Sequence, residues 1–350
     1  MTTYNVGVIG CGRIASLLEQ EPERGTPNTH AGCYDHCDRT LIISGAEAND
    51  ERRLAFGKKW GVSAMYVDWQ EMLDNESLDI VSVCTYPVPH RDMVVAAAES
   101  GVKAIFCEKS MAVTLRQADE MIDVCEKHGV RLSINHGRRW DWQYRQIKKL
   151  LDQKAIGALV GMSLNYTAGL ANNGTHYFDM LRYFGGEVEW AMGRLQDPDT
   201  LDPKGSGIFH LKNGIDCVVN GISGSNSRYL FELIGSSGRI AVTNGRGPEF
   251  KLYIEGEKQI FPEVPSGQGL NTFGSGRCVI PGSIEAIVES LDKLEDTAST
   301  GRDGRAALEM VISFHQSESR GNTRVNFPLE DRDTRVLVKD VDFTSGAVPQ

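Results

Sequence analysis

The apolar run Tyr4-Asn5-Val6-Gly7-Val8-Ile9 leads straight into Gly10-Cys11-Gly12-Arg13-Ile14-Ala15. Few folds accept glycines so placed. Where a strand ends and a helix opens, Gly10 permits the tight turn and Gly12 lets backbone approach a ligand, while the small Ala15 allows close helix–strand packing. A helix start carrying Arg13 and Ile14 then offers free N–H groups and a positive dipole end to a pyrophosphate. A lone match of this kind is weak. It gains meaning only when a strand–helix–strand series follows.

Such a series does follow. Tyr4–Ile9, Leu41–Ala46, Ile80–Cys84, Ala104–Cys107 and Arg131–Asn135 read as buried strands rich in Val and Ile. Helical patterns fall between them at Asp50–Trp60, Trp69–Leu73, His90–Ser100 and Leu115–His128. The last starts at Thr114 and Gln117, spaced as a capping box, and stops at Gly129. Alternating strands and helices imply parallel pairing through right-handed crossovers. Residues 1–135 therefore predict a Rossmann-type, doubly wound parallel α/β domain that binds a dinucleotide.

After Arg138 the rhythm changes. One amphipathic helix, Trp142–Leu151, leads into segments that alternate apolar and polar residues: Ala158–Tyr166, Glu187–Leu195, Gly207–Leu211, Asp216–Ile222, Tyr229–Gly235 and Arg239–Thr243. Helices are expected at His176–Tyr183, Ile284–Leu294 and Arg305–Ser317. Residues 136–330 thus predict an α+β domain with a large open, mainly antiparallel sheet, which binds substrate and mediates oligomerisation. The uncovered face calls for a partner surface, so a homo-oligomer, dimer or tetramer, is expected. Residues 331–350 are charged and read as a peripheral tail.

A formal charge of -10 argues against nucleic-acid binding, which needs clustered basic residues. No apolar run is long enough to span a bilayer. The N-terminal stretch has no charged segment before its apolar run, and the eight scattered cysteines suit reduced, buried thiols. A cytoplasmic protein is the expectation.

The end of the second strand should read the adenosine ribose, and Glu47 stands there. A carboxylate accepts from a free 2′-hydroxyl and repels a 2′-phosphate, which favours NAD. Arg52 and Arg53 stand close enough in sequence to keep NADP open. The connection from the glycines to Glu47 is long, with Glu21–Asn28 reading as an inserted loop. Thr85, Pro87 and His90 lie in a stiff Cys84–His90 loop able to lie against a nicotinamide, although His90 reads equally as a helix-start residue. Glu108-Lys109-Ser110 closes the Ile105-Phe106-Cys107 strand, where a lysine can handle a proton beside a hydroxyl being oxidised. In the second domain, His176 falls in the first turn of a helix, with Asp179 on the same face to orient it. His30, Cys33, His36 and Cys37 look metal-like, but four residues of one helix cannot close a tetrahedral site, and no metal is assigned.

In order and spacing, GVIGCGRIA, VSVCTYPVPH, CEKS, INHGRRW and NNGTHYFDMLRYFGG together resemble the glucose–fructose oxidoreductase, inositol dehydrogenase and rhizopine-catabolism (Gfo/Idh/MocA) family. The likeness runs from residue 4 to about residue 328, taking in LIGSSGRIAV and GRAALEMVISFHQS. It implies oxidation or reduction of a secondary alcohol on a sugar, sugar acid, glycoside or cyclitol with NAD(P). The family's Glu-Lys-Pro lysine falls on Lys109, with Ser110 in place of Pro. Its Asp-x-x-x-His pair falls on Asn172 and His176, so an amide replaces the carboxylate and the proton relay rests on Lys109 and His176. In that relay His176 takes the hydroxyl proton while Lys109 lowers its pKa; the roles can be exchanged. Arg138, Arg139, Trp140 and Tyr166, with Asn172 and Asp179, are the expected sugar contacts.

Three functions compete. The first is a sugar, glycoside or cyclitol dehydrogenase, with the 3-position of a pyranoside as its narrower form. The second is an NAD-dependent glycosidase acting by transient 3-oxidation and elimination. The third is a non-catalytic NAD-binding sensor, which would be free to lose Lys109.

Overall fold

A computed structural model of the chain describes residues 2–21, 26–222, 229–244, 248–254, 257–260 and 280–338. The expectations for residues 22–25 of the insertion, for Cys278 and for residues 339–350 of the tail lie outside the described residues. The chain makes two compact units, both discontinuous: residues 1–137, 276–305 and 339–350, and residues 138–275 with 306–338.

The first unit is built on six parallel strands: β1 (Tyr4–Ile9), β2 (Thr40–Ala46), β3 (Ala64–Tyr66), β4 (Ile80–Val83), β5 (Ala104–Cys107) and β6 (Arg131–Ile134). Their order is β3-β2-β1-β4-β5-β6. Both sheet faces are covered by helices, so the central strands are apolar throughout; Val6, Val8, Ile80, Val81, Ile105 and Phe106 are wholly buried. Strand order reverses between β1 and β4, which opens a ligand crevice beyond their C-terminal ends.

Helices α1 (His30–His36), α2 (Asp50–Trp60), α3 (Trp69–Asn75), α4 (His90–Glu99) and α5 (Leu115–His128) join these strands. Helix α5 starts where the Thr114 hydroxyl accepts from the Gln117 N–H at 3.2 Å. It ends at Gly129, whose φ of 68° is left-handed. Sequence reading placed residues 276–305 in the second domain. Instead α8 (Ile280–Lys293) packs on α1, β5 and β6, burying Ile284, Ile287 and Val288. An amphipathic period shows that a helix has an apolar face, not which sheet will receive it.

The helix opened by the glycine motif is interrupted. After one turn from Gly12 the chain leaves at Ser16, forms a short 3-10 helix (Leu17–Gln20), and resumes as α1. The resumption is in register: the His30 N–H donates to the Ile14 carbonyl at 3.1 Å, and Ala31 N–H to Ala15 at 2.9 Å. Glu19 holds the return, accepting from the backbone N–H groups of Asn28 and Thr29 and from the Thr29 hydroxyl. Trp60 Nε1 donates to Ser16 Oγ at 2.8 Å.

The second unit holds a nine-stranded sheet. Its order is β14-β13-β12-β11-β7-β10-β9-β8-β15, with β7 (Leu159–Tyr166), β8 (Val188–Gln196), β9 (Lys204–Leu211), β10 (Asp216–Gly221), β11 (Tyr229–Gly235), β12 (Gly238–Asn244), β13 (Pro248–Ile254), β14 (Glu257–Ile260) and β15 (Val325–Asn326). All described pairings are antiparallel except β7 with β10. Helices α6 (Trp142–Asp152), α7 (Thr175–Gly185) and α9 (Gly301–Ser319) complete the helix set. Phe314 of α9 stacks on Phe209 at 4.8 Å and meets Phe178 edge-on. That approach needs Gly193, where an added Cβ would lie 2.4 Å from the Phe314 ring. On the other face Met192, Ile208 and Val218 stand in register across β8, β9 and β10, with Met192 40% and Val218 51% exposed.

Candidate active site

In the first unit, the ends of β1, β2, β4 and β5 carry the candidate residues. Gly10 takes φ 84°, a left-handed conformation, and an added Cβ would sit 2.8 Å from Thr85 Cγ2. Gly12 differs: an added Cβ there would meet no heavy atom of the described residues within 4 Å. Among the described residues nothing fills the space above Gly12, which is what close backbone approach to a pyrophosphate requires. The Gly12→Val variant is expected to fold with an unchanged melting temperature yet bind NAD at least tenfold more weakly. Calorimetric titration with NAD checks this, and unchanged affinity would remove Gly12 from the cofactor cradle.

Glu47 follows β2 and is 7% exposed. Its carboxylate accepts the Cys11 N–H at 2.9 Å and the Asn49 N–H at 3.0 Å, which aims it along the glycine loop. Arg53 donates to the Glu47 backbone carbonyl, and its second nitrogen pairs with Asp50. Arg13 is exposed and pairs with Glu21 at 2.7 Å. The Ile14 carbonyl serves the resumed helix. Thr85 leans on Gly10, and Pro87 is buried, its carbonyl accepting from the His90 N–H.

His90 is not a nicotinamide contact. It is fully buried, with Nδ1 3.1 Å from the Ser110 carbonyl and Nε2 3.1 Å from the Thr85 carbonyl, so it ties two loops together. Burial pushes its imidazole below the usual range, against the pull of those carbonyls.

Glu108 leaves β5 buried, and Lys109, half-buried, precedes a cis peptide to Ser110. Burial alone would raise the Glu108 carboxyl. The His30 hydrogen bond, the Lys109 charge and the Asn135 amide outweigh it, leaving the carboxyl below its ordinary value. His30 Nε2 lies 3.0 Å from Glu108 Oε1 and its Nδ1 lies 3.0 Å from Ser82 Oγ, so both ring nitrogens are engaged by side chains. Among the described residues no group of three or more His, Cys, Asp or Glu side chains is arranged to hold a metal ion. None of the seven described cysteines is in a disulfide, and six of them are buried. Burial first, and Glu47 or Glu108 second, push the thiols of Cys11, Cys84 and Cys107 well up, which disfavours thiolates at these positions.

In the second unit, a π-helical turn (Leu170–Gly174) precedes α7. It carries exposed Asn172, and half-buried His176 follows in the first turn of α7. The Asp202 carboxylate fixes the turn by accepting the N–H groups of Ala171 and Asn172 at 2.6 and 3.0 Å. Sequence reading missed Asp202, thirty residues away, and no local signal marks it. Asp179, expected to orient His176, is engaged by an arginine. It is wholly buried in a bidentate pair with Arg139, its oxygens 2.7–3.0 Å from Nε and Nη2. Arg139 is thereby committed to the core and is no sugar contact.

Trp140 and Tyr166, also expected to meet a sugar, are core residues. Trp140 is 3% exposed, and Tyr166 is wholly buried with its hydroxyl donated to the Gly205 carbonyl at 2.9 Å. Arg138 remains partly open. Its guanidinium lies over the rings of Tyr177 and Tyr229, at 4.9 and 5.7 Å from their centroids. The Tyr144 and Tyr229 hydroxyls are 2.8 Å apart.

Residues 4–136 match the family model GFO_IDH_MocA, described as "Oxidoreductase family, NAD-binding Rossmann fold". D-apiose dehydrogenase of Paraburkholderia graminis is 29% identical, over 91% of this chain and 89% of its own. Myo-inositol 2-dehydrogenase of Thermotoga maritima is 27% identical, over 69% of this chain and 75% of its own. An Agrobacterium radiobacter oxidoreductase, solved with NAD+, L-tartaric acid and magnesium, superposes with a TM-score of 0.78 at 18% identity, covering 93% of this chain and 98% of that one. No helix among the described residues is long and apolar enough to cross a membrane. With a parallel sheet in Rossmann order, an open glycine cradle at its switch point and these relatives, residues 4–136 form the NAD-binding Rossmann domain of the Gfo/Idh/MocA oxidoreductases, and the chain is similar to members of that family over most of its length.

Proposed function

We propose that this oxidoreductase transfers a hydride between a nicotinamide cofactor and a secondary hydroxyl of a sugar, glycoside or cyclitol. One observation carries the reading: Glu108 and Lys109 end a parallel strand beside the crevice that also holds the glycine cradle. The relatives named for D-apiose and myo-inositol support a polyhydroxylated substrate. Bound nicotinamide supplies the hydride acceptor. Lys109 and His176 handle the hydroxyl proton, one taking it and the other favouring its loss, as general acid–base pairs do. Asn172 and Arg138 orient the ring, and Glu47 favours a free ribose hydroxyl, hence NAD, with NADP as the cofactor to compare. The narrower form of the proposal places oxidation at the 3-position of a pyranoside.

The test is cofactor reduction at alkaline pH against myo-inositol, D-apiose and alkyl glucosides, with NAD and NADP in parallel. Silence across the panel in protein that binds NAD would overturn the reading. Asn172, an amide that cannot take up a proton, favours one second reading, a glycosidase working by transient oxidation. Release of aglycone without net NADH would select it, and stoichiometric NADH would exclude it. We also propose a homo-oligomer, dimer or tetramer, joined through the sheet face that carries Met192 and Val218, and sedimentation mass checks this.

A further inference from the structure

The first unit contains a chain of polar side chains in its core that the proposed chemistry does not use directly. Tyr34 of α1 is wholly buried, and its hydroxyl lies 2.9 Å from Ser82 Oγ of β4. Ser82, also wholly buried, lies 3.0 Å from His30 Nδ1. His30 Nε2 lies 3.0 Å from Glu108 Oε1, and Asn135 Nδ2 donates to the same oxygen at 2.6 Å. His30 is held flat on Phe106, with ring centroids 4.6 Å apart. Four elements thus contribute to one line of hydrogen bonds that ends on Glu108, the residue before Lys109.

Only one arrangement of protons satisfies every member of that line. Tyr34 donates to Ser82, Ser82 donates to His30 Nδ1, and His30 donates from Nε2 to the ionised Glu108 carboxylate. Were Nδ1 to carry the proton, the Nε2 lone pair would face carboxylate oxygen unless Glu108 were protonated. The line would then run backwards and end on a Tyr34 hydroxyl with no acceptor among the described residues. Because Tyr34 is sealed from solvent, the line cannot carry protons out. Its remaining role is to hold a charge in place.

We propose that His30 is a positioning residue that acts through Glu108 on Lys109, holding a carboxylate at a fixed place and in its ionised form beside the lysine that handles the hydroxyl proton. This rests on the role of Lys109 in the proposed function. The other titratable groups acting on Glu108 are His90 of α4, Cys84 after β4 and Cys107 of β5. Of the groups named, His30, Asn135 and Lys109 favour the ionised carboxylate, and burial opposes them.

Without the His30 donor, burial acts against a less supported charge, and Glu108 should take up a proton at higher pH. His30→Leu is therefore expected to move the acidic limb of kcat/KM upward by about one pH unit, since one lost charge-assisted hydrogen bond is of that size. His30→Gln, which keeps an N–H donor, should bring the limb back toward the parent value. A histidine that merely fills the core would lower the melting temperature in both variants and leave the limb where it was. Should His30→Leu not fold, Tyr34→Phe removes only the far hydroxyl and should move the limb the same way by less.

A second readout needs no substrate. Carbon-13 NMR of the Glu108 carboxyl in the cofactor-free protein should show its titration moved upward in His30→Leu, or in Tyr34→Phe if that variant must stand in. An unmoved carboxyl titration overturns the proposal whatever the enzyme turns over. A moved titration with an unmoved limb also overturns it, because Glu108 would then not act on Lys109. If the titration moves but no carbohydrate is oxidised by the parent protein, the failure belongs to the proposed function, and the control of Glu108 by His30 stands.

Discussion

Replacing Lys109 with alanine is expected to cut turnover by about 10²–10⁴-fold, the usual contribution of a positioned proton-handling group. NAD affinity should change far less, because the pyrophosphate end of the crevice is built by Gly10, Gly12 and the loop that Glu47 braces. The side chain is half-buried at a strand end, so its removal leaves the core of the first unit intact. Steady-state kinetics beside NAD titration separate the two effects. Equal loss of cofactor binding would make Lys109 a cofactor anchor, and unchanged turnover would leave the proton chemistry without its lysine. A protein that only senses NAD would show no turnover in the parent either.

The second large effect falls on stability. Asp179→Ala is expected to cost about 3–5 kcal/mol, measured by urea unfolding, because it strands the Arg139 charge inside the second unit. The magnitude follows from burial: the Arg139 side chain is 7% exposed and that of Asp179 not at all. Replacing both, as Arg139→Met with Asp179→Leu, should restore most of the loss, since two apolar groups leave no orphan charge. A small effect of the single change would show that water reaches Arg139. Asp179 and His176 share one helix, so activity should fall in the single variant even where it stays folded.

Much of the first unit is legible in sequence because its signals are local. Unbroken Val and Ile runs mark strands buried on both faces, and α5 announces both ends through Thr114 and Gly129. Helix α1 shows only in the spacing of His30 to Cys37, and its continuity with the glycine helix escapes because fourteen residues intervene. The metal-like spacing of His30 and Cys33 is likewise a by-product of helical pitch, and what decides the role of His30 is Ser82 and Glu108, remote in sequence.

In the second unit, an aromatic or arginine near a motif reads as a ligand contact until its depth is known. Depth is a tertiary quantity. Trp140, Tyr166 and Arg139 carry groups suited to a sugar, yet packing places all three in the core, and Arg139 finds its counter-charge forty residues on. Arg138, its immediate neighbour, keeps an open side over two tyrosine rings. Nothing in the run Arg138-Arg139 distinguishes the two. The Asn172 turn is held by a carboxylate from another segment, a bond that no local spacing encodes.

The split in the dinucleotide helix makes one stretch of this chain free to vary in length. Fourteen residues stand between Ala15 and His30 where an unbroken helix would need two, yet the backbone ladder rejoins as though none intervened. Entropy penalises such a detour only logarithmically, so its length can change at small cost while the glycine turn and the histidine keep their places. The segment is thus a natural splice point, where new recognition could be grafted beside the cofactor at little thermodynamic expense.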